Sequence, residues 1–303
     1  MICSLGFAET KALAVQIQLD QAGFSCNTID GKWGLKSQRA LESYCRREGV
    51  SLPPSPEAAY DALFSKSGKN LFRIETVTQD DLNALVIMPK SPAEKARLPK
   101  MGYSTIKEMF AERGHLSKRA LERMNPGVDW NHITPGLKLV IPDFPTIQND
   151  LSAWPRRHNK PKRPEAALVR VSLSHYEISA FDSNGRQLVL FPCSIARDKA
   201  KRPPLCELKI VGPIANPNYT YTPDFVPKGQ KKQKYVLPDG PRCPVGVAWL
   251  GLNHTISGYG IHGTPYPETI GQAESHGCFR LANWNAARLY ALCKPGTKVI
   301  IED

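Results

Sequence analysis

The sequence predicts a multidomain chain: a small α-helical N-terminal module, an α+β middle module and a mainly-β C-terminal domain. Three observations carry that expectation. Through the first 150 residues, apolar positions recur at helical spacing between turn glycines, with few alternating runs. From residue 166 onward, short runs rich in β-branched and apolar residues follow one another closely. Between the two regions, Pro145 to Glu165 has the proline and charge content of an extended linker. The implied divisions are 9–66, 72–144, 145–165 and 166–303, and with 41% hydrophobic residues in a chain of 303 each folded unit can bury a core.

In the first module Ala12, Val15 and Leu19 share one face of an amphipathic helix ending at Gly23. A second helix, Leu35 to Arg47, follows the turn Asp30-Gly31-Lys32-Trp33-Gly34. In the middle module Ser104 to Arg113 and Ser117 to Met124 have helical spacing with serine N-caps, and Asn125-Pro126-Gly127 breaks the second. Thr134-Pro135-Gly136 then turns into a closing strand, Leu137 to Pro142, while Leu82 to Met101 intervenes after the expected first strand. In the C-terminal domain Ala166 to Leu173, His175 to Phe181 and Arg186 to Phe191 read as strands of an antiparallel sheet, with Asp182-Ser183-Asn184-Gly185 as a hairpin turn. Glu207 to Val211, Val247 to Gly251 and Lys298 to Ile301 are further strands, and Trp284 to Leu292 has helical composition. Ile214 to Pro223 and the basic stretch through Lys228, Lys231, Lys232 and Lys234 are too rich in proline and tyrosine to pair continuously in a central sheet. They are expected to cross the surface as a rim, a candidate substrate wall.

The chemistry concentrates in Ser275-His276-Gly277-Cys278-Phe279-Arg280-Leu281, preceded by His262 in Gly260-Ile261-His262-Gly263-Thr264. A thiol is a weak nucleophile until a cationic neighbour or backbone dipoles favour the thiolate, and His262 is the candidate neighbour and base. Glycine at 277 permits a sharp turn, so the N–H groups of Gly277 and Cys278 are expected to point at a developing oxyanion. This constellation suits acyl transfer.

The segment from Gly258 through Leu281 closely resembles the catalytic signature of the L,D-transpeptidase family of bacterial cell-wall enzymes: a histidine, a spacer, then Ser/Thr-His-Gly-Cys, an apolar residue and often arginine. The resemblance spans 166–303. It implies Cys278 as nucleophile and His262 as general base, oriented through the carbonyl of Gly263. It also implies His276 and Gly277 lining the oxyanion region, with Arg280, Ser275 and Tyr259 meeting substrate. Phe279 departs from the pattern, standing where a smaller aliphatic residue is usual. The implied reaction removes a terminal D-alanine from a peptidoglycan tetrapeptide stem, holds the tripeptide as a thioester and passes it to an amine of a neighbouring stem. Water as acceptor would give an L,D-carboxypeptidase, and a spent catalytic domain would leave a wall-binding scaffold. Neither metal nor organic cofactor is implied. Ile29-Asp30-Gly31-Lys32-Trp33-Gly34-Leu35 with its following helix is similar to a small helical peptidoglycan-binding module. The middle module resembles a divergent lysin motif, a βααβ glycan-binding unit in which Gly102-Tyr103-Ser104-Thr105 replaces the usual opening.

A net charge of +12, from 40 basic against 28 acidic residues, favours anionic partners. Peptidoglycan stem peptides and glycan fit better than nucleic acid, since the basic residues are dispersed and no aromatic-interleaved basic helix occurs. Eight cysteines include no Cys-x-x-Cys pair, which argues against structural zinc. Cys26 with Cys45, and Cys206 with Cys243, could bridge in an oxidising envelope. No stretch is apolar enough to span a bilayer. Met1 to Glu9 resembles the tail of a secretory signal, so export to the periplasm or cell envelope is expected. A monomer is expected.

Overall fold

The computed structural model describes residues 7–65, 68, 70–144, 165–223, 233–255 and 258–303, the side chains of 7–9 excepted. The linker 145–164, the opening 1–6 and the lysines at 228, 231 and 232 lie outside them.

The N-terminal region holds α1 (Phe7–Ala22), α2 (Leu35–Glu48) and α3 (Pro56–Ala59), the last running into a wide turn, Tyr60–Phe64. α1 is not amphipathic as expected. Every residue from Ala12 to Asp20 is buried, because Leu13 and Ile17 enter one core while Val15 and Leu19 enter another. α2 ends at Gly49, whose φ of 67° is the left-handed conformation glycine adopts without penalty.

The middle region runs β1 (Phe72–Thr76), α4 (Gln79–Asn83), α5 (Pro92–Lys95), α6 (Ile106–Arg113), α7 (Lys118–Met124) and β2 (Lys138–Pro142). β1 and β2 pair antiparallel, and α6 and α7 cover them through Phe110, Leu121, Leu139 and Ile141. The intervening stretch 82–101 carries α5. Ser117 caps α7 as expected, but Thr105 caps α6, because the Ser104 hydroxyl donates to the Val86 carbonyl at 3.0 Å.

The C-terminal region contains β3 (Leu168–Ser172), β4 (Glu177–Phe181), β5 (Gln187–Pro192), β6 (Ile195–Ala196), β7 (Cys206–Ala215), β8 (Tyr219–Tyr221), β9 (Tyr235–Leu237), β10 (Ala248–Leu252), β11 (Gly260–Thr264), β12 (Ala273–Ser275), β13 (Phe279–Ala282), α8 (Asn283–Leu292) and β14 (Lys298–Glu302). Eight strands form one sheet in the order β13-β11-β10-β7-β14-β3-β4-β5, with α8 packed on its β10, β11 and β13 end. The hairpins β3-β4-β5 are antiparallel as expected, but the sheet is mixed: β3 and β14 pair in parallel, as do β11 and β13. Parallel partners are joined by crossovers, through β12 for β11 and β13 and across nearly the whole domain for β3 and β14, so local turn chemistry carries no trace of them. β7 also runs further than expected, pairing Ile214 and Ala215 with β10, and the rim beyond it includes the small β8-β9 hairpin.

The three regions interlock, contrary to a linker-separated arrangement. The backbone at Gly23 and Ser25 bonds Leu190 on the outer strand β5, at 3.0 and 2.9 Å, and so covers a sheet edge that would otherwise be open. A side chain at Gly23 would meet the Leu188 carbonyl at 2.8 Å. At the centre, His115 bonds Asp20 at 2.9 Å and lies stacked between Phe144 and Trp284, joining all three regions. Cys26, Cys45, Cys206 and Cys243 are free thiols, so neither suggested bridge is present. Cys26 shares its bond with Ser37, while Cys206 and Cys243 lie in different packing groups.

Candidate active site

β11 and β13 lie side by side in parallel, with His262 in register with Arg280 and Ile261 with Phe279. The short turn from β12 into β13 carries His276, Gly277 and Cys278, so sheet pairing brings His262 and Cys278 to one cavity of about 500 Å³. Trp249, Tyr219, His276 and Arg280 also line it.

His262 is 6% exposed, and its Nδ1 lies 2.6 Å from the Gly263 carbonyl. A carbonyl only accepts, so Nδ1 carries the proton and Nε2 presents its lone pair. Burial and the charge of Arg280 hold the imidazole down at about 4, against the opposing Gly263 bond. Burial pushes the Cys278 thiol up, partly offset by the backbone at Gly260, the Arg280 charge and its own N–H. The Sγ donates to the Gly258 carbonyl at 3.4 Å. Both shifts favour the uncharged forms, a neutral imidazole beside a thiol, over the cationic histidine and thiolate expected from the motif.

Ser275 is 3% exposed, and its hydroxyl donates to the Cys278 carbonyl at 2.6 Å while accepting from Gly277 N–H at 3.3 Å. It braces the turn from the floor of the cavity, which it helps to line. Gly277 itself lines the cavity, its N–H shared with the Ser275 hydroxyl. Tyr259 is likewise a floor residue, 3% exposed, with its ring edge-on to Phe279 at 5.7 Å. Phe279 is fully buried, so the larger residue at this position fills core. Arg280 ties the site together, pairing with Glu274 at 3.5 Å and approaching His276 Nδ1 at 3.4 Å. Tyr219 belongs to the region expected to form a wall and does line the cavity.

Two residues have no place in the sequence reading. Trp249 faces His262 across β10 and β11, and its indole stacks on the imidazole at 5.6 Å with planes 18° apart. The indole lies over Gly260, where an added Cβ would sit 2.8 Å from the ring. Asn283 backs the site from the start of α8: its Oδ1 accepts from Val247 N–H at 3.3 Å, and a Cβ on Gly263 would approach that oxygen to 2.4 Å. A tryptophan in a strand and an asparagine opening a helix give no local signal; only the cross-strand register identifies them.

A family model, the L,D-transpeptidase catalytic domain (YkuD), matches residues 166–301. YkuD of Bacillus licheniformis, a protein named as an L,D-transpeptidase, is 28% identical over 197 residues, 64% of this chain and 92% of its own length. A Fuscovulum blasticum protein, also named as an L,D-transpeptidase, is 30% identical over 162 residues, 51% of this chain and 80% of its own length. Among solved structures, an L,D-transpeptidase from Mycobacterium smegmatis aligns at 17% identity and a TM-score of 0.34, covering 45% of this chain and 58% of that one. L,D-transpeptidase 3 from Mycobacterium tuberculosis aligns at 16% and 0.35, covering 45% and 60%. The chain thus spans less than two thirds of those solved chains, an overlap too slight to bear on function.

Proposed function

The chain belongs to the L,D-transpeptidase family, and from that membership we propose that it is a cysteine acyltransferase of peptidoglycan stems. The observation that carries the proposal is the tautomer of His262, fixed by Gly263 with Nε2 unprotonated, in the same cavity as the Cys278 thiol.

As the Sγ attacks the carbonyl before a terminal D-alanine, its proton passes to Nε2 and a carbon–sulfur bond forms. The carbon–nitrogen bond then breaks, and the D-alanine amine leaves with the proton from the imidazolium. The tripeptide remains as a thioester. An amine of a second stem attacks it, gives its proton back through Nε2 to sulfur, and the free thiol returns. Arg280 is suited to a substrate carboxylate at the mouth of the cavity, and the Cys278 N–H to the oxyanion.

Two auxiliary roles accompany this reading. The Asp30–Gly34 turn with α2 serves as a peptidoglycan-binding module. The unit of paired strands β1 and β2 covered by α6 and α7 serves as a lysin-motif-like glycan contact, with α4 and α5 inserted after its first strand. A wall substrate requires export, and no helix among the described residues is long and apolar enough to cross a membrane.

Mass spectrometry of disaccharide-tetrapeptide incubated with wild type and with Cys278→Ala tests the proposal. A cross-linked dimer lacking one D-alanine, made only by the wild type, supports it. Disaccharide-tripeptide alone replaces it with carboxypeptidase activity, and no conversion refutes both.

A further inference from the structure

Behind the cavity, the middle region contributes a side chain to the support of His262. Glu112 Oε1, on α6, accepts from Asn283 Nδ2 at 3.0 Å and from the Tyr103 hydroxyl at 2.9 Å. The second Asn283 N–H donates to the Pro241 carbonyl at 3.0 Å, which leaves Oδ1 directed at Val247 N–H and against Gly263 and Gly246. The carboxamide is thus locked in one orientation, and among the described residues Glu112 is the one side chain that accepts from it. Reversing it would put an N–H against Val247 N–H and an oxygen against a carbonyl and a carboxylate. Gly263, pressed on Oδ1, in turn supplies the carbonyl that holds Nδ1 of His262.

From this chain of contacts we infer that Glu112 is a positioning residue for His262, coupling the docked middle region to Cys278 reactivity in a pH-dependent way. The inference rests on the acyl-transfer reading for its meaning but not for its measurement. A carboxylate accepts more strongly than a neutral acid, so the ionised form grips Asn283 more firmly.

The surroundings make that ionisation relevant near neutrality. Glu112, half-buried, lines a cavity of about 290 Å³ to which all three regions contribute. Burial pushes its carboxyl up to about 7, the bonds from Asn283 and Tyr103 oppose this, and Glu108 adds to it. Other charged groups face it from each neighbouring element. Lys118 and Arg119 line the cavity from α7, and Glu268 lines it from beyond β11. Arg242 is engaged with Glu108 and with the Ser104 hydroxyl, at 3.0 Å each. Arg113 is engaged with Glu75 and Asp81, at 2.6 Å each.

The test follows Cys278 carboxymethylation by peptide-resolved mass spectrometry in the full chain, over a pH series that reaches a unit below and a unit above that value, for wild type, Glu112→Gln and Tyr103→Phe. Glutamine presents the same acceptor without the charge and mimics the neutral acid. Its Cys278 should match wild type on the acid side and react about threefold to tenfold more slowly on the basic side. Tyr103→Phe removes a bond that favours ionisation, so it should move the wild-type inflection to higher pH. A Glu112→Gln profile parallel to wild type, or lowered equally at both pH values, overturns the inference, and so does an unmoved inflection in Tyr103→Phe. Alkylation needs no peptide substrate. A chain inert towards tetrapeptide but showing these shifts would refute acyl transfer and leave the coupling standing.

Discussion

Burial acts on Cys278 and His262 in opposite directions, raising the thiol and holding the imidazole at about 4, so the nucleophile is made only as it is used. Cys278 alkylation should therefore climb with pH through neutrality, whereas a preformed ion pair would give a rate already level in weak acid. A level profile would refute the neutral resting pair. His262→Ala should lower acyl transfer by about 10²–10⁴-fold and slow Cys278 alkylation at least as much as Glu112→Gln does, since both act through the imidazole. Trp249 bears on the same proton: its face lies on the ring that becomes cationic during attack. Loss of that face in Trp249→Leu should slow turnover by about fivefold to twentyfold, or ~1–2 kcal/mol, and Trp249→Phe should restore most of it. Equal rates for leucine and phenylalanine would reduce the indole to a cavity wall.

Among the elements, β10, β11 and α8 converge where Gly246 and Gly263 meet Asn283. Gly246 has φ 60° and would place a Cβ 2.1 Å from Asn283 Oδ1; at Gly263 the distance is 2.4 Å. Gly263→Ala should thus lower stability by about 1–3 kcal/mol in urea unfolding and disturb the carbonyl that orients His262. Retention of wild-type stability would mean that α8 can shift away. Why this junction escaped the sequence reading is instructive. His262 and Cys278 were legible because the residues flanking each form a local pattern, and most strands and helices were legible from period and turn chemistry. Ser275 and Tyr259 do line the cavity, but a motif gives no side-chain direction, so the bond by which Ser275 closes its own turn and the packing of Tyr259 on Phe279 were not legible. Trp249 and Asn283 were missed because they act through register between segments distant in sequence. The amphipathic reading of α1 failed for a related reason, since two separate cores cover opposite sides of that helix.

For the molecule as a whole, this interlocking decides what can fold alone. The N-terminal region bonds the outer strand β5 through Gly23 and Ser25, and Arg288 of α8 donates to the Asp20 carbonyl at 2.7 Å. Trp284, only 3% exposed, owes part of that burial to His115 of the middle region. A chain cut to 166–303 keeps every strand of the large sheet yet uncovers Leu190, Trp284 and the hydrogen-bonding edge of β5 together. That fragment should self-associate in size-exclusion chromatography and lose stability by several kcal/mol relative to the full chain, about the scale of burying two large apolar side chains. Lacking the Glu112 acceptor altogether, it should also alkylate more slowly at Cys278 on both the acid and the basic side. A monomeric fragment with the stability and pH profile of the full chain would show instead that the N-terminal regions rest on the catalytic unit without supporting it.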